Sequence, residues 1–475
     1  MSFPTVESSL SSSVTLTSTG TVTYNTGILL TINPFEQIGI NNLSLGFCLD
    51  SDWKTWRDSP TYRTLTEEAN FKIIRFFTHK SGSPKPCTNW NEATKTGTWS
   101  WAETDLLVQR IYEVGAEPLI ILGGSRSTGM TGAPKGMTIN PTTGLPNPQS
   151  WAAYCNEWVK HFKQTGRPVR FYEMMNEPFT YFASNGWSNL DYTKLGHYKT
   201  LFSAAYTAMH QTNSQVKISF DFSCHKDALN WWIDNGGQLD TLNFHKYDEY
   251  RYPYASDSTM IGYAETKFFG SWPLGGYSVT DAQDRYEAAR GQTLPIINSE
   301  SNMNSKYIDG ADPRLQTMVG ATWLASVLRM GILNGVSYNI GYSFSSTRSI
   351  GEDTVTGGFG FGMVNKDDGV VWYPYLVNYL IGKNISVGDA IIDSTSGSDD
   401  VRVVAWVHEG ALYTFIINRV DDEKTVQLSG IQGPMQIYWI DATVSHEYPA
   451  LKQAIIDSNQ VTLKGYTVML IQTTS

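Results

Sequence analysis

Apolar positions along this chain fall into three stretches with different rhythms. From about residue 13 to 31 they alternate, and Ser18-Thr19-Gly20 is a turn signal between 14–16 and 22–24. That pattern predicts strands, and a hairpin alone is not stable, so they must pair elsewhere. From Leu43 to about Trp372 short apolar runs alternate with amphipathic helical stretches. The runs are 43–47, 71–77, 118–122, 169–175, 216–221, 239–244, 295–298 and 336–340, and examples of the helical stretches are 101–114, 151–162, 192–209, 280–289 and 315–330. Each run is too short for a buried helix and too continuous for a half-exposed strand, which suits a parallel sheet covered on both faces. From about Ile385 the helical rhythm stops. Runs 401–407 and 412–417 flank Glu409-Gly410, a hairpin signal, and 425–428, 435–439, 461–463 and 466–471 follow at sandwich-like spacing.

Eight strand–helix units predict an α/β fold, a (β/α)8 TIM barrel with long loops. A doubly wound sheet competes, but no G-x-G-x-x-G follows the first run. The predicted organisation is residues 1–35 as strands joining a β-sandwich, 36–380 as the barrel, and 381–475 as a small C-terminal antiparallel β-sandwich. The N-terminal strands are expected to complete that sandwich and protect its edge.

Charge and composition narrow the partners. A net charge of −10 opposes binding to nucleic acid or anionic membrane, since neither gains from counterion release. No run of about 18 apolar residues is present to span a bilayer. The start, Met1-Ser-Phe-Pro-Thr-Val, has no basic and apolar leader, and its Ser/Thr-rich, weakly charged character points to a secreted enzyme whose leader is gone, with a cytoplasmic protein as the alternative. Cys48, Cys87, Cys155 and Cys224 have no C-x-x-C spacing, so a zinc ribbon is not expected; buried thiols and a single bridge both stay open.

In a barrel, chemistry sits at the C-terminal ends of the strands. The fourth run ends in Asn176-Glu177-Pro178, where Pro stops the ladder and a carboxylate closes an apolar strand at a cost in desolvation. Glu300 closes the seventh. Arg75 lies near the end of the second, His245 and Tyr247 end the sixth on one face, and Tyr342 ends the eighth. Singly, Arg75 suits a structural ion pair, His245 a core histidine and Tyr247 packing. Together at one mouth, two carboxylates suit glycoside hydrolysis with one as nucleophile and the other as acid/base. An ionised nucleophile is served by a nearby cation and hydroxyl, as Arg75 and Tyr247 provide.

A barrel with Asn-Glu-Pro closing strand four and Glu closing strand seven resembles glycoside hydrolase clan A, which includes the family 5 cellulases and mannanases and the family 39 β-xylosidases. The resemblance spans roughly residues 43–372. It implies a retaining mechanism with Glu177 as acid/base, Glu300 as nucleophile and Asn176 as partner of the sugar 2-hydroxyl. Arg75, His245 and Tyr247 match the clan's supporting residues. Met174-Met175 before Asn176 and Ser301-Asn302 after Glu300 depart from the clan's pattern. The eighth strand also lacks the Trp that often floors the sugar site, a place left to Tyr342 or Trp372.

Aromatic residues follow several strands. Trp53 and Trp56 follow the first, Trp90, Trp99 and Trp101 the second, Tyr181, Phe182 and Trp187 the fourth, and Tyr250, Tyr252 and Tyr254 the sixth. Loops run over the surface, so Trp53 and Trp187 are expected among stacking platforms along a cleft. Several platforms favour internal cleavage of a β-1,4-linked polysaccharide, cellulose-type glucan first and mannan or xylan next. An exo-acting β-xylosidase or β-glucosidase is the alternative. Neither metal nor cofactor is expected, since the eight histidines include no His-x-His pair of the amidohydrolase kind. A non-catalytic carbohydrate-binding protein would share the aromatics but has no need of both glutamates. Oligomeric state is open, and Trp406 and Trp439 lie within strands, where core packing is expected.

Overall fold

The computed structural model describes residues 13–16, 22–25, 27–184, 189–222, 226–249, 254–266, 279–306, 312–346, 360–444 and 451–473. Eight parallel strands form the central sheet: β1 Ser44–Leu49, β2 Ile73–Phe77, β3 Glu117–Arg126, β4 Phe171–Asn176, β5 Lys217–Ser219, β6 Leu242–Glu249, β7 Ile296–Asn304 and β8 Val336–Gly341. Each pairs with its sequence neighbour from β1 to β5 and from β6 to β8, and β8 pairs with β1. A parallel bridge between Asp221 and Asn243 joins β5 to β6 and closes the ring. This is the (β/α)8 barrel the apolar runs predict.

The runs are continuous because both faces are covered. In β2 every residue from Ile73 to Phe77 is buried. Ile73, Phe77, Leu119, Ile121, Phe171, Ile297 and Ile340 point inward and fill the barrel with Cys48, while their strand neighbours, such as Ile74, Phe76, Ile120 and Tyr172, meet the helices. Helix starts follow local capping chemistry. Asn147 accepts from the backbone N–H groups of Gln149 and Ser150 ahead of Pro148–Gln164, and Asp191 accepts from Lys194 ahead of Tyr192–Thr212.

The second sheet has nine strands, in the order Lys452–Ile456, Met435–Ile440, Val468–Thr473, Ala411–Asn418, Val401–His408, Ala390–Ser396, Ile28–Ile40, Lys424–Ser429 and Gln460–Leu463. The long strand Ile28–Ile40 thus comes from the N-terminal side and runs past residue 35 almost to β1. It pairs parallel with Lys424–Ser429, so the sheet is mixed and not wholly antiparallel. Among the described residues, Ser13–Leu16 and Val22–Asn25 pair with each other and not with this sheet, where the sequence pattern places them. Alternation gives this sheet two apolar faces. Val403, Ala405, Ile416, Met469 and Ile471 close its own core, whereas Val404, Trp406, Phe415, Ile417 and Leu470 join the core shared with the barrel. Trp406 is fully buried and donates from Nε1 to the Asn384 carbonyl.

Cys48, Cys87 and Cys155 are buried free thiols, and Cys224 lies outside the described residues. No helix among the described residues is long and apolar enough to cross a membrane.

Candidate active site

Two backbone irregularities aim the carboxylates. At the end of β4, Met175 and Glu177 take left-handed conformations, with φ of 61° and 49°. Such conformations cost free energy in non-glycine residues and persist only where the surroundings enforce them. Here the Ser125 hydroxyl contacts the carbonyl oxygens of Asn176 and Glu177, Tyr198 donates to the Met174 carbonyl, and Pro178 opens a single helical turn, Phe179–Phe182. On β7 the pairing with β6 skips Ser299, a bulge that sets Glu300 opposite His245.

Arg75 is the hub. Its side chain is fully buried at the barrel axis, and its donors are divided among Glu173, Glu300, Asn176 and the Cys48 sulfur, the last 3.4 Å from Nη1. Nε and Nη2 hold Glu173 at 3.2 and 2.9 Å, Nη1 holds Glu300 Oε2 at 2.7 Å, and Nη2 also donates to Asn176 Oδ1 at 2.7 Å. That last bond fixes the Asn176 amide with its nitrogen free to donate towards a ligand. With both Nη2 hydrogens engaged, the 3.3 Å approach of His245 Nε2 to Nη2 is packing and not a required hydrogen bond.

The two carboxylates live in different surroundings. Glu300 is 7% exposed; Tyr247 donates to its Oε1 at 2.6 Å and Arg75 to its Oε2. Burial by itself would raise its pKa, but His245, Arg75, Lys80 and the Tyr247 hydrogen bond outweigh that and hold it at about 2. Glu177 has 34% of its side chain exposed and lies 3.2 Å from His245 Nδ1. His245 is buried, which alone would lower its pKa. Asp221 at 3.5 Å, Glu300 and the Glu177 contact raise it instead to about 9.

One donor atom from each of Glu177, His245 and Glu300 lies within 4.8 Å of the others. Those three donors could also grip a cation, although the Arg75 guanidinium already neutralises Glu300. The nearest oxygens of Glu177 and Glu300 are therefore no more than 4.8 Å apart.

The structure therefore brings Arg75, Asn176, Glu177, His245, Tyr247 and Glu300 to one mouth. Tyr342 joins them at its edge: its ring lies 6.4 Å from that of Phe77 and its hydroxyl donates to Asp50. Trp53 and Trp372 do not serve as open platforms. Trp53 is 2% exposed, begins the helix Trp53–Asp58 and donates to the Gly82 carbonyl, because this stretch packs against the barrel wall through Trp53 and Trp56. Trp372 is 4% exposed where it caps the helix Tyr373–Gly382, leaving no ring face for a sugar. Trp56, Trp90, Tyr181 and Phe182 are likewise buried. Trp187, Tyr250 and Tyr252 lie outside the described residues.

Sequence reasoning missed Glu173 and Asp221, both fully buried. Their signal was available, as charged residues inside otherwise apolar runs. It also missed Asp50 and Lys80, which resemble ordinary loop residues.

No protein-family model matches the chain, and no curated protein sequence is similar to it. Solved structures share its fold. A glucosidase from Croceicoccus marinus superposes with a TM-score of 0.64 at 14% identity, covering 94% of this chain and 99% of that one. A GH39 β-xylosidase from Caulobacter crescentus gives 0.60 at 13%, covering 94% and 100%. An α-L-arabinofuranosidase from Thermotoga maritima gives 0.64 at 13%, covering 94% and 99%. The barrel with its attached β-sandwich is thus the architecture of these glycoside hydrolases.

Proposed function

We propose that this protein is a retaining glycoside hydrolase working through two glutamates. The observation that carries the proposal is the pair itself: Glu300, buried and held ionised by Arg75 and Tyr247, beside Glu177, one-third exposed and against His245. The Glu300 carboxylate attacks the anomeric carbon as the bond to the leaving oxygen breaks, and Glu177 gives that oxygen a proton. Water then attacks the glycosyl–Glu300 ester, its proton passes to Glu177, and Glu300 leaves as carboxylate. Asn176, oriented by Arg75, offers its amide N–H to the sugar 2-hydroxyl. His245 places a proton donor beside Glu177. The fold shared with a glucosidase, a β-xylosidase and an arabinofuranosidase supports a carbohydrate substrate.

The substrate proposed from sequence is a β-1,4-linked plant polysaccharide, cellulose-type glucan ahead of mannan and xylan, cut outside the cell. Burial of Trp53 removes one of its expected platforms and favours the exo-acting reading on shorter glycosides.

The test is reducing-end release from β-1,4-glucan, mannan and xylan alongside aryl β-glycosides, with Glu300→Gln as control. Hydrolysis abolished by that change supports the mechanism. Undiminished hydrolysis in Glu300→Gln would remove Glu300 from the nucleophile's role. Binding of polymer without cleavage would favour a carbohydrate-binding protein instead.

A further inference from the structure

One charged pair at the mouth touches neither glutamate, although the Lys80 charge helps keep Glu300 ionised. Asp50 follows β1 and Lys80 follows β2, and Lys80 Nζ lies 2.7 Å from Asp50 Oδ2. The Tyr342 hydroxyl donates to the same oxygen and lies 3.5 Å from Nζ. Nζ also sits 3.8 Å from the centre of the Phe77 ring, and the Arg75 guanidinium lies 5.1 Å from that same ring. Asp50, Lys80, Tyr342, Phe77 and Arg75 thus form a continuous wall leading to Glu300.

The pair is incompletely used. Both of its protein contacts fall on Asp50 Oδ2, so Oδ1 has no partner among the described residues. The ammonium carries three protons and, besides the Phe77 ring it faces, meets two oxygen acceptors among the described residues. Its side chains are 33% and 21% exposed, so a free acceptor and a free donor stand side by side, open to a ligand. Because the charges cancel, the pair suits neutral hydroxyls better than a carboxylate.

Position decides which hydroxyls. Around the ring β1 lies between β2 and β8, with β2 and β3 separating it from β4, which carries Glu177. The acid must meet the oxygen that leaves C1, so the leaving group lies towards β4. The far edge of the glycone, with C3 and C4, then faces the wall formed by β1, β2 and β8.

Resting on the glycosidase reading above, we propose that Asp50 and Lys80 form a hydroxyl clamp selecting glycones with free neighbouring hydroxyls at C3 and C4. Asp50 Oδ1 accepts from one and Lys80 donates to the other. A C4 hydroxyl held this way cannot carry a further sugar in a β-1,4 chain, so the clamp makes this an enzyme of non-reducing ends.

The experiment compares kcat/KM on aryl β-glycosides with their 3-deoxy and 4-deoxy counterparts and the matching uronide, for wild type, Asp50→Asn and Lys80→Met. Wild type should prefer the parent over a deoxy glycoside by roughly 10²-fold or more, as sites built around a substrate hydroxyl do. Each variant should lose most of that preference, falling far more on the parent than on the deoxy glycoside. An unchanged preference, equal losses on every glycoside, or the uronide as best substrate would overturn the clamp. Abolition of wild-type hydrolysis by Glu300→Gln secures the glycosidase reading first, so failure of the preference test then falls on the clamp alone. A wild type inert on every glycoside sinks both.

Discussion

The ends of β4 and β7 both present a glutamate to the same mouth, yet they are built in opposite ways. Glu177 stands on a strained left-handed residue at a turn, one-third exposed, with an imidazole for company. Glu300 is re-aimed by a bulge and nearly sealed, with a guanidinium on one oxygen and a phenol on the other. Under the mechanism proposed above, this difference is what assigns two roles to one residue type, since environment sets whether a carboxyl attacks or trades a proton.

The largest effect expected is on the β7 side. Glu300→Gln should lower kcat by roughly 10⁴-fold or more on every substrate, as loss of a nucleophile does, measured by steady-state hydrolysis. Glu177→Gln should be selective: a loss of about 10²–10⁴-fold for poor leaving groups that need a proton, and far less for dinitrophenyl glycosides. Equal losses in both variants across leaving groups would erase the proposed division of labour.

Arg75 links the two ends, and Arg75→Ala should break the comparison by weakening both. It leaves Glu173 buried without its partner, so roughly 3–5 kcal/mol of stability should be lost, measured by urea unfolding. Tyr247→Phe sharpens it. Removing the phenol raises the Glu300 pKa from about 2, so the acid limb of kcat/KM should move to higher pH, with a loss of about tenfold to 10²-fold near neutrality.

The smallest effect concerns His245. Its pKa is raised in the folded protein, from an unfolded value of 6.5 to about 9. The stabilisation this brings is fully present below pH 6.5 and is lost as pH rises through about 9. His245→Asn should flatten that part of the stability profile, followed by unfolding midpoints at several pH values.

Much of this site was legible because barrel geometry turns strand ends into neighbours. Arg75, Asn176, Glu177, His245, Tyr247 and Glu300 are scattered in sequence, and eight apolar runs sufficed to gather them. Register within a strand was not legible. The bulge at Ser299 and the left-handed turn at Met175 depend on tertiary contacts such as Ser125 and Tyr198, which local patterns do not encode. Aromatic residues misled for a related reason. Trp53 and Trp372 follow strands, as surface platforms do, but only packing decides whether a ring faces solvent or core. Glu173 shows the converse. A lone charge in an apolar run is conspicuous, yet its partner across the barrel can be named only once Arg75 is seen at the axis.

The strand Ile28–Ile40 enters the β-sandwich before the barrel begins, and Ala390–Ser396 pairs with it after the barrel ends. The barrel is thus spliced between two adjacent strands of one sheet. A protease or a gene fusion cannot release it by a single cut, because either side of the splice carries away part of the sheet on which the helices of the barrel rest. Swapping this sandwich for another therefore means two coordinated joins, near residues 41 and 389, where Asn41 and Asp389 already meet by a backbone hydrogen bond of 2.8 Å.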